Sequence, residues 1–290
     1  MAVVQPDLRK KVFRIERLGA LPQVVWSLVE ALGDERTSAS RLEQLLGGDL
    51  ALASKVLSLA NSSYYGMRQR ITTISRAIVI IGFEELRLLA LGAGLADLFH
   101  LKNTPKGFES PAFWVHSLAV SWAARELAVQ AGYPAPEEIR IAGLLHDVGK
   151  LILATHFCED YLEMISRAEE RPYYLIEQEY GLQHTELGRM LAHRWGLPEI
   201  HIAAIANHHD PLEPGDHVFS TALVHLADRL IKALGLGLVQ KARPSDIEAV
   251  LGAVKMDQRQ LRSLALRAQG ELPVLLEKWM IFLGGGGIDN

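Results

Sequence analysis

The chain has 290 residues, a length that accommodates one large domain or two domains of medium size. Its content of 49% hydrophobic and 22% charged residues is typical of a globular protein with a buried core. The formal net charge is −4 and no block of Lys and Arg occurs, so the sequence lacks the broad basic face of a DNA-binding protein. We therefore do not expect DNA as a partner.

Cys158 is the only cysteine, which excludes an intramolecular disulfide and fits a reducing compartment. Residues 1–11 lack the charged and then apolar pattern of a secretory signal. The longest apolar stretches, 77–83 and 88–96, are too short to cross a bilayer, because a spanning helix needs about 20 apolar residues. These features predict a soluble, cytoplasmic protein that does not associate with a membrane.

Apolar residues recur at three- and four-residue steps through nearly the whole chain, and no sustained alternation with a period of two occurs. This periodicity predicts an all-α fold. In the first part of the chain, Asp49 is placed as the N-cap of one helix, and Gly82 is placed to end another. The helices predicted there cover residues 21–32, 37–46, 50–60, 72–81 and 84–99.

A segment rich in Asn, Pro and Gly at residues 100–107 indicates a linker and a domain boundary. Behind it, Ser110-Pro111 is typical of a helix start, with the proline at the first helical position. The predicted helices that follow cover 110–131, 137–157, 161–168, 173–180, 185–195, 199–209 and 216–234, with three shorter helices in 244–283. We predict an N-terminal helical half at 1–106, a helical bundle at 107–235, and C-terminal helices with a flexible tail at 236–290.

The most informative feature is an imidazole and a carboxylate side by side at the end of an apolar run. His146 and Asp147 follow Leu145 directly, and Lys150 lies three residues behind the carboxylate. Adjacent side chains on a helix diverge by about 100°, so this pair can serve two metal ions, or one ion from two edges. Plausible partners stand at spacings too long for a zinc finger but suited to a site between packed helices. These partners are His116, His184, His208, His209 and Asp228.

Imidazole and carboxylate ligands suit divalent iron, manganese, nickel or zinc, and the pattern offers no thiolate. The first candidates also have ordinary structural explanations. His116 can be a core histidine bonded to a backbone carbonyl, and His146 and Asp147 can form a hydrogen-bonded pair. A buried carboxylate needs a metal or a hydrogen-bond donor in either case. The motif alone therefore leaves both interpretations open.

The remaining candidates have structural alternatives as well. Asp228 can form an ion pair with the neighbouring Arg229, and His184 can be a surface residue at a helix start. His208 and His209 are placed at the end of a predicted helix, where the helix dipole favours histidine. The complete set favours a metal centre more strongly than any single member, because its members come from separate helices and several lie within apolar segments.

The order of these candidates along the chain resembles the HD superfamily of metal-dependent phosphohydrolases and, within it, the HDOD family. The resemblance covers roughly Leu18 to Leu230. It is carried by Leu59-Ala60-Asn61-Ser62 with Tyr65-Gly66, Ala77-Ile78 with Ile81-Gly82, His146-Asp147, His184 with Gly188, Trp195-Gly196-Leu197-Pro198, and His208-His209. HDOD proteins are similar to the HD-GYP cyclic-di-GMP phosphodiesterases but usually lack the Gly-Tyr-Pro triad, which residues 195–198 do not supply here.

This resemblance implies an HD-type helical bundle with an additional N-terminal helical half, and a role in bacterial signal transduction or regulation. Many HDOD members have lost metal residues, whereas this chain keeps all seven candidates named above. The resemblance implies one or two bound ions with Asp147 between them, and hydrolysis of a phosphodiester or phosphomonoester of a nucleotide or cyclic dinucleotide. Lys150 matches a lysine of the HD-GYP proteins and would contact phosphate. The extra glutamate of some of those enzymes falls at Ala112, so we do not expect a third metal.

A non-catalytic alternative stays open: an interaction or ligand-sensing module whose metal site is structural. The N-terminal half supports it, because this large part of the chain carries no candidate catalytic residue. There, Tyr64 and Tyr65 lie near Arg68 and Arg70, and the two rings either face a signalling protein or ligand or fold back on the core. A DNA-binding regulator built around Gly82 is the least supported interpretation, since no basic recognition face accompanies that segment.

Overall fold

The computed structural model describes residues 23–32, 36–99, 108, 110–168, 171, 173–212, 215–237 and 246–283. Within these ranges every regular element is a helix, which confirms the predicted all-α fold. The described residues form two compact units. One unit contains residues 23–99 and 270–283, and the other contains residues 108–269.

The helices at residues 23–99 begin at capped positions that the sequence signals. Ser38, Asp49 and Thr73 each accept a backbone N–H from the residue three positions ahead, at 3.2, 3.0 and 3.4 Å. The predicted N-cap at Asp49 is thus confirmed, and Gly82 ends its helix as predicted, with a φ of 86°. The helices are α1 (Gln23–Leu32), α2 (Ala39–Gly47), α3 (Leu50–Ala60), α4 (Ile74–Ile81) and α5 (Phe83–Leu98).

The loop between α3 and α4 is held by a side-chain clamp. The Asn61 amide donates to the carbonyls of Leu57 and Ile71 at 2.8 Å, and its oxygen accepts the N–H of Ile71 at 2.7 Å. In this loop Tyr64 is 42% exposed, and the Lys278 ammonium lies 4.9 Å from its ring centroid. Tyr64 is therefore held by a cation of its own unit while part of its ring faces solvent.

The second unit is a helical bundle around a buried polar centre. Helix α6 packs against α7 and α13, and α11 packs against α8 and α12. The helices are α6 (Ser110–Gln130), α7 (Pro136–Leu145), α8 (Val148–His156), α9 (Cys158–Arg167), α10 (Tyr173–Tyr180), α11 (His184–Arg194), α12 (Glu199–Asn207), α13 (Val218–Ala233), α14 (Ile247–Ala253) and α15 (Gln258–Leu283). Residues of α15 up to Gln269 belong to this unit, and those from Gly270 belong to the other.

Two predicted elements differ from the structure. The single helix predicted over 137–157 is two helices, α7 and α8, separated at His146 and Asp147. In the segment 246–283, α14 and the long α15 take the place of the three shorter helices, and α15 continues through Pro273. The predicted linker at 100–107 lies outside the described residues, and the three-part domain division stays a prediction.

Among the described helices, none is by itself both long enough and apolar enough to cross a membrane. Pro136–His156 and Cys158–Arg167 meet the length and composition test only as a pair, which is bent by 116°.

Candidate metal centre

The break between α7 and α8 brings the imidazole of His146 and the carboxylate of Asp147 together. His146 keeps helical dihedrals, but Asp147 leaves the helix with φ −101° and ψ 11°, and its carbonyl accepts the N–H of Lys150 at 2.9 Å. As a result Nε2 of His146 lies 3.3 Å from Oδ2 of Asp147. The divergence expected for neighbours on one continuous helix is therefore wrong here, because the helix ends between them.

The structure brings all seven predicted metal residues into one cluster. They come from α6, the α7–α8 junction, the start of α11, the end of α12 and the middle of α13. Six of them have 0% or 1% of their surface exposed, and only His209 is partly exposed. The cluster consists of His116, His146, Asp147, His184, His208, His209 and Asp228. Distant parts of the sequence thus meet at one buried point, while their role as ligands stays a prediction.

Two groups of ligand atoms can be distinguished within the cluster. In each group the donor atoms lie within 4.8 Å of one another, a spacing that one metal ion could occupy. We call the group of His116, His146 and Asp228 the Asp228 set. We call the group of His184, His208 and His209 the His184 set.

Asp147 lies between the two sets. Its Oδ2 is 3.3 Å from Nε2 of His146 and 3.7 Å from Nε2 of His116, both in the Asp228 set. Its Oδ1 is 3.1 Å from Nε2 of His184 and 3.7 Å from Nε2 of His208, both in the His184 set. One carboxylate thus presents a different oxygen to each set, an arrangement in which it could bridge two ions.

The partners of the ring nitrogens leave Nε2 as the donor atom. Nδ1 of His146 lies 2.8 Å from the Gly143 carbonyl, and Nδ1 of His208 lies 3.1 Å from the Ile205 carbonyl. A carbonyl only accepts, so each Nδ1 carries the proton and donates it. Nε2 of both rings then keeps its lone pair, which is the form of histidine that binds a metal.

Two buried atoms of the cluster have no hydrogen-bond partner among the described residues: Nε2 of His146 and Oδ1 of Asp147. Other cluster atoms lie within 3.1–3.7 Å of them but do not meet hydrogen-bond geometry. An unsatisfied buried polar atom destabilises a fold, whereas a cation coordinated by these atoms would satisfy them. The buried His and Asp groups therefore fit a divalent metal. Their nitrogen and oxygen donors are consistent with the predicted choice of iron, manganese, nickel or zinc.

Two lysines neutralise the carboxylates from their other side. Nζ of Lys150 lies 2.6 Å from Oδ2 of Asp147, and Nζ of Lys232 lies 2.7 Å from Oδ2 of Asp228. Lys150 is 1% exposed, so its observed contact is with Asp147, and its phosphate contact stays a prediction. Sequence reasoning missed Lys232, although its position four residues after Asp228 on α13 is a signal for an ion pair on one helix face.

The charges of the cluster shift its pKa values in opposite directions. Burial alone would raise the pKa of Asp147, but His146 and Lys150 outweigh burial and hold it well below its usual value. Burial likewise lowers the pKa of an imidazole, yet Asp147 and other neighbours raise that of His146 to about 9. Burial and the adjacent imidazoles hold the pKa values of His208 and His209 well below normal. Ionised carboxylates thus attract a cation while these two rings stay neutral donors.

Sequence reasoning also missed Glu177, which lies on α10 beside His184. Its two carboxylate oxygens are 2.7 and 2.8 Å from Nδ1 of His184, and its side chain is buried. The segment around it offers Glu177 and Glu179 two positions apart, with no sequence feature that distinguishes the buried carboxylate from the exposed one. Only the packing of α10 against the start of α11 reveals the contact.

Glycines allow the helices to approach closely enough to form the cluster. A Cβ added at Gly149 would lie 2.7 Å from the carbonyl carbon of His184 and 2.8 Å from the nitrogen of Gly188, so α8 and α11 touch through their backbones. Gly237 has a φ of 85°, and an added Cβ there would lie 2.8 Å from Cα of His116. The positions of His184 and His116 therefore depend on side chains being absent nearby.

Comparison with known proteins places this architecture. An uncharacterized protein of Treponema pallidum is 29% identical over 226 residues, which cover 76% of this chain and 43% of that protein. Ribonuclease Y of Thermus thermophilus is 32% identical over 118 residues, 41% of this chain and 16% of the enzyme. The chain thus spans less than half the length of these curated relatives.

A solved structure and a family model agree on the fold. The crystal structure of an HDOD domain protein of unknown function from Geobacter sulfurreducens has a TM-score of 0.78 at 24% identity, over 93% of this chain and 96% of that one. The HDOD domain model matches residues 18–211. The predicted fold, an HDOD helical bundle, is confirmed, and its buried His and Asp cluster resembles an HD metal site. The chain belongs to the HDOD domain family.

Proposed function

We propose that this chain is a cytoplasmic bacterial signalling protein that hydrolyses a phosphate ester of a nucleotide at a centre of one or two divalent metal ions. The substrate would be a phosphodiester or phosphomonoester, including a cyclic dinucleotide. The observation that supports this most directly is the position of Asp147, with one oxygen 3.3 Å from His146 and the other 3.1 Å from His184. A carboxylate shared between two imidazole sets suits a pair of ions that acts on one phosphate group.

In this proposal the seven clustered residues hold the metal, and their protonation states suit that task. Neutral imidazoles donate through Nε2, while Asp147 and Asp228 contribute the negative charge that a divalent ion requires. A bound divalent ion would supply Lewis-acid stabilisation of a phosphoryl oxygen and activation of water. His209, the partly exposed member, would line the side from which substrate arrives. Lys150 would contact the phosphate or the leaving oxygen once substrate or metal competes for Asp147.

The family and one relative support a hydrolytic reaction. The name of the Thermus thermophilus relative, ribonuclease Y, is that of an enzyme acting on RNA, whose backbone is a phosphodiester. The signalling role rests on the HDOD family itself, in which regulation is the common theme. Because the chain covers only a minor part of each curated relative, substrate and reaction are ours to propose rather than theirs to transfer.

The test begins with metal analysis of protein purified without added metal or chelator. We expect at least one equivalent of a transition metal, and less than a tenth of an equivalent would contradict the proposal. A screen of cyclic dinucleotides, linear dinucleotides and generic phosphodiesters on protein loaded with Mn²⁺, Fe²⁺, Ni²⁺ or Zn²⁺ follows. Turnover with any of these would support the enzyme, and metal-loaded protein inactive on all of them would contradict it.

Lys150→Ala connects the metal to turnover. The variant should keep its metal, because removal of the ammonium 2.6 Å from Asp147 leaves that carboxylate available to the ion. It should lose most of the phosphodiester turnover, since the cation that would meet the phosphate is gone. Lys55→Ala, which changes a partly exposed lysine of the other unit, is the matched control and should retain both. Full turnover in Lys150→Ala would remove Lys150 from the proposed mechanism.

A second candidate is a non-catalytic interaction or ligand-sensing module with a structural metal. The observation that favours it is burial: six of the seven cluster residues are at most 1% exposed. Structural metal sites are closed, whereas catalytic ones keep a position for substrate. This candidate predicts retained metal, no turnover with any metal tested, and capture of a signalling protein by the intact chain.

A further inference from the structure

Glu177 is a buried carboxylate that belongs to neither ligand set. Both of its oxygens face Nδ1 of His184, and Oε1 also accepts the backbone N–H of His184 at 3.2 Å. A single side chain thus fixes the ring and the backbone of the same histidine. The Nδ1 atoms of His116, His146 and His208 instead face backbone carbonyls. His184 is therefore set apart from these three histidines by a charged partner.

The two ligand sets also differ in their own charge. The Asp228 set contains a carboxylate, whose Oδ1 lies 3.0 Å from Nε2 of His116. The His184 set consists of imidazoles only, with Oδ1 of Asp147 as the nearest shared negative charge at 3.1 Å from His184. Three neutral rings compensate a divalent ion poorly in a buried site, so the His184 set needs negative charge from a neighbour.

Glu177 is placed to supply that charge. A carboxylate on Nδ1 of a metal-binding histidine fixes its tautomer and ring orientation and makes Nε2 a stronger donor. Nε2 of His184 is the atom that lies 3.5 Å from Nε2 of His208 and 3.2 Å from Nε2 of His209. The ring that Glu177 holds is thus the one that joins the other two members of its set.

We propose that Glu177 is a positioning residue for a second metal ion: through Nδ1 of His184 it orients the His184 set and lends it negative charge. The Asp228 set carries its own carboxylate and binds the first ion without Glu177. The two positions are therefore unequal, and the second depends on α10. This inference rests on the proposed function, because it takes the cluster as a metal centre.

The test uses the full chain, stripped with chelator, dialysed and titrated with Mn²⁺ by calorimetry and by electron paramagnetic resonance. Wild type should bind two equivalents and show the exchange-coupled spectrum of two neighbouring Mn²⁺ ions. Glu177→Gln should bind the first ion with wild-type affinity, bind the second about 10–100-fold more weakly, and give the spectrum of a single ion. Glu177→Asp keeps the charge on a shorter side chain and should weaken the second ion to a smaller extent.

The matched control is Glu179→Gln on the same helix. Glu179 pairs with Arg167 and Arg171 at the surface, so this variant should bind two ions as wild type does. Unfolding by heat in chelator verifies that each variant folds, and Glu177→Asp carries the test if Glu177→Gln does not. Wild-type affinity for the second ion in the folded variant that carries the test would overturn the inference.

The remaining outcomes separate this inference from the proposed function. Loss of both ions together in Glu177→Gln, or wild type that binds a single ion, would overturn the inference but leave a one-metal enzyme in place. Two unequal ions in a protein without turnover would support the inference and contradict hydrolysis. Wild type that binds no metal would contradict both.

Discussion

The two compact units bury different kinds of side chain. Among the described residues at 23–99 and 270–283, Lys278 is the only buried charged residue, and it pairs with Glu85 at 2.7 Å. The unit at 108–269 buries a connected cluster of imidazoles, carboxylates and lysines. Buried polar groups destabilise a fold unless each is satisfied, so a large buried cluster is retained where it has a function. The comparison assigns chemistry to the second unit and a mainly structural core to the first.

Asp147→Ala should have the largest effect of any single change. It removes the carboxylate shared by both ligand sets and leaves the ammonium of Lys150 buried without it, which costs about 3–5 kcal/mol. We expect the site to lose its metal and the thermal midpoint of the metal-loaded protein to fall. The measurements are metal content and thermal midpoint, with and without chelator.

The exposed Asp216 offers a control for this change, and Asp216→Ala should leave both quantities unaltered. If the cluster were only a hydrogen-bonded pair in a core, Asp147→Ala would lower stability equally with and without chelator. Its metal content would then equal that of wild type. That result would remove the functional contrast between the two units.

Lys278→Met tests the buried charge of the other unit. The change leaves Glu85 without the ammonium beside it, and loss of one partner of a buried ion pair costs about 3 kcal/mol. Denaturant unfolding should therefore show a clear loss of stability, while metal content per folded chain stays at the wild-type level. In the double variant Lys278→Met with Glu85→Leu, much of the stability should return, because no buried charge remains. Loss of metal in either variant would contradict the separation of roles.

Gly149→Ala tests how far the cluster depends on close helix packing. The added methyl group would meet the backbone of His184 and Gly188, so α8 and α11 must separate at a cost of about 1–3 kcal/mol. We expect lower stability together with weaker metal binding, because His184 moves with its helix. Gly252→Ala in α14 meets nothing within 4 Å and should be neutral or slightly stabilising. Wild-type metal affinity in a destabilised Gly149→Ala would show that His184 does not set the site.

The sequence predicted these elements with uneven success, for physical reasons. Helix periodicity and the cap at Asp49 are local, so the fold class and many helix positions could be predicted from them. The break at His146 and Asp147 could not, since apolar residues continue through Leu145 and Val148 on both sides of it. Tertiary contacts end α7 there, and no local breaker such as glycine or proline marks the position.

The candidate site shows the same limit. Rare residue types in apolar segments pointed to the histidines and aspartates, because burial of such groups needs a reason. Glu177 and Lys232 have no such signal: glutamate and lysine are ordinary on helix surfaces, and only the packing of α10 and α13 places these two inside. Residues that contact the proposed ion were thus easier to predict than residues that orient them.

Asp49→Ala should have the smallest effect and confines it to the first unit. The carboxylate accepts the N–H of Leu52 at the start of α3, and loss of such a cap costs about 1 kcal/mol. Asp49→Asn keeps a side-chain oxygen in the same place and should cost little, so the pair of variants separates capping from charge. Denaturant unfolding measures the difference, and metal content should be that of wild type in both. A drop in metal content that accompanies so small a loss of stability would mean that the first unit takes part in the chemistry that we assign to residues 108–269 alone.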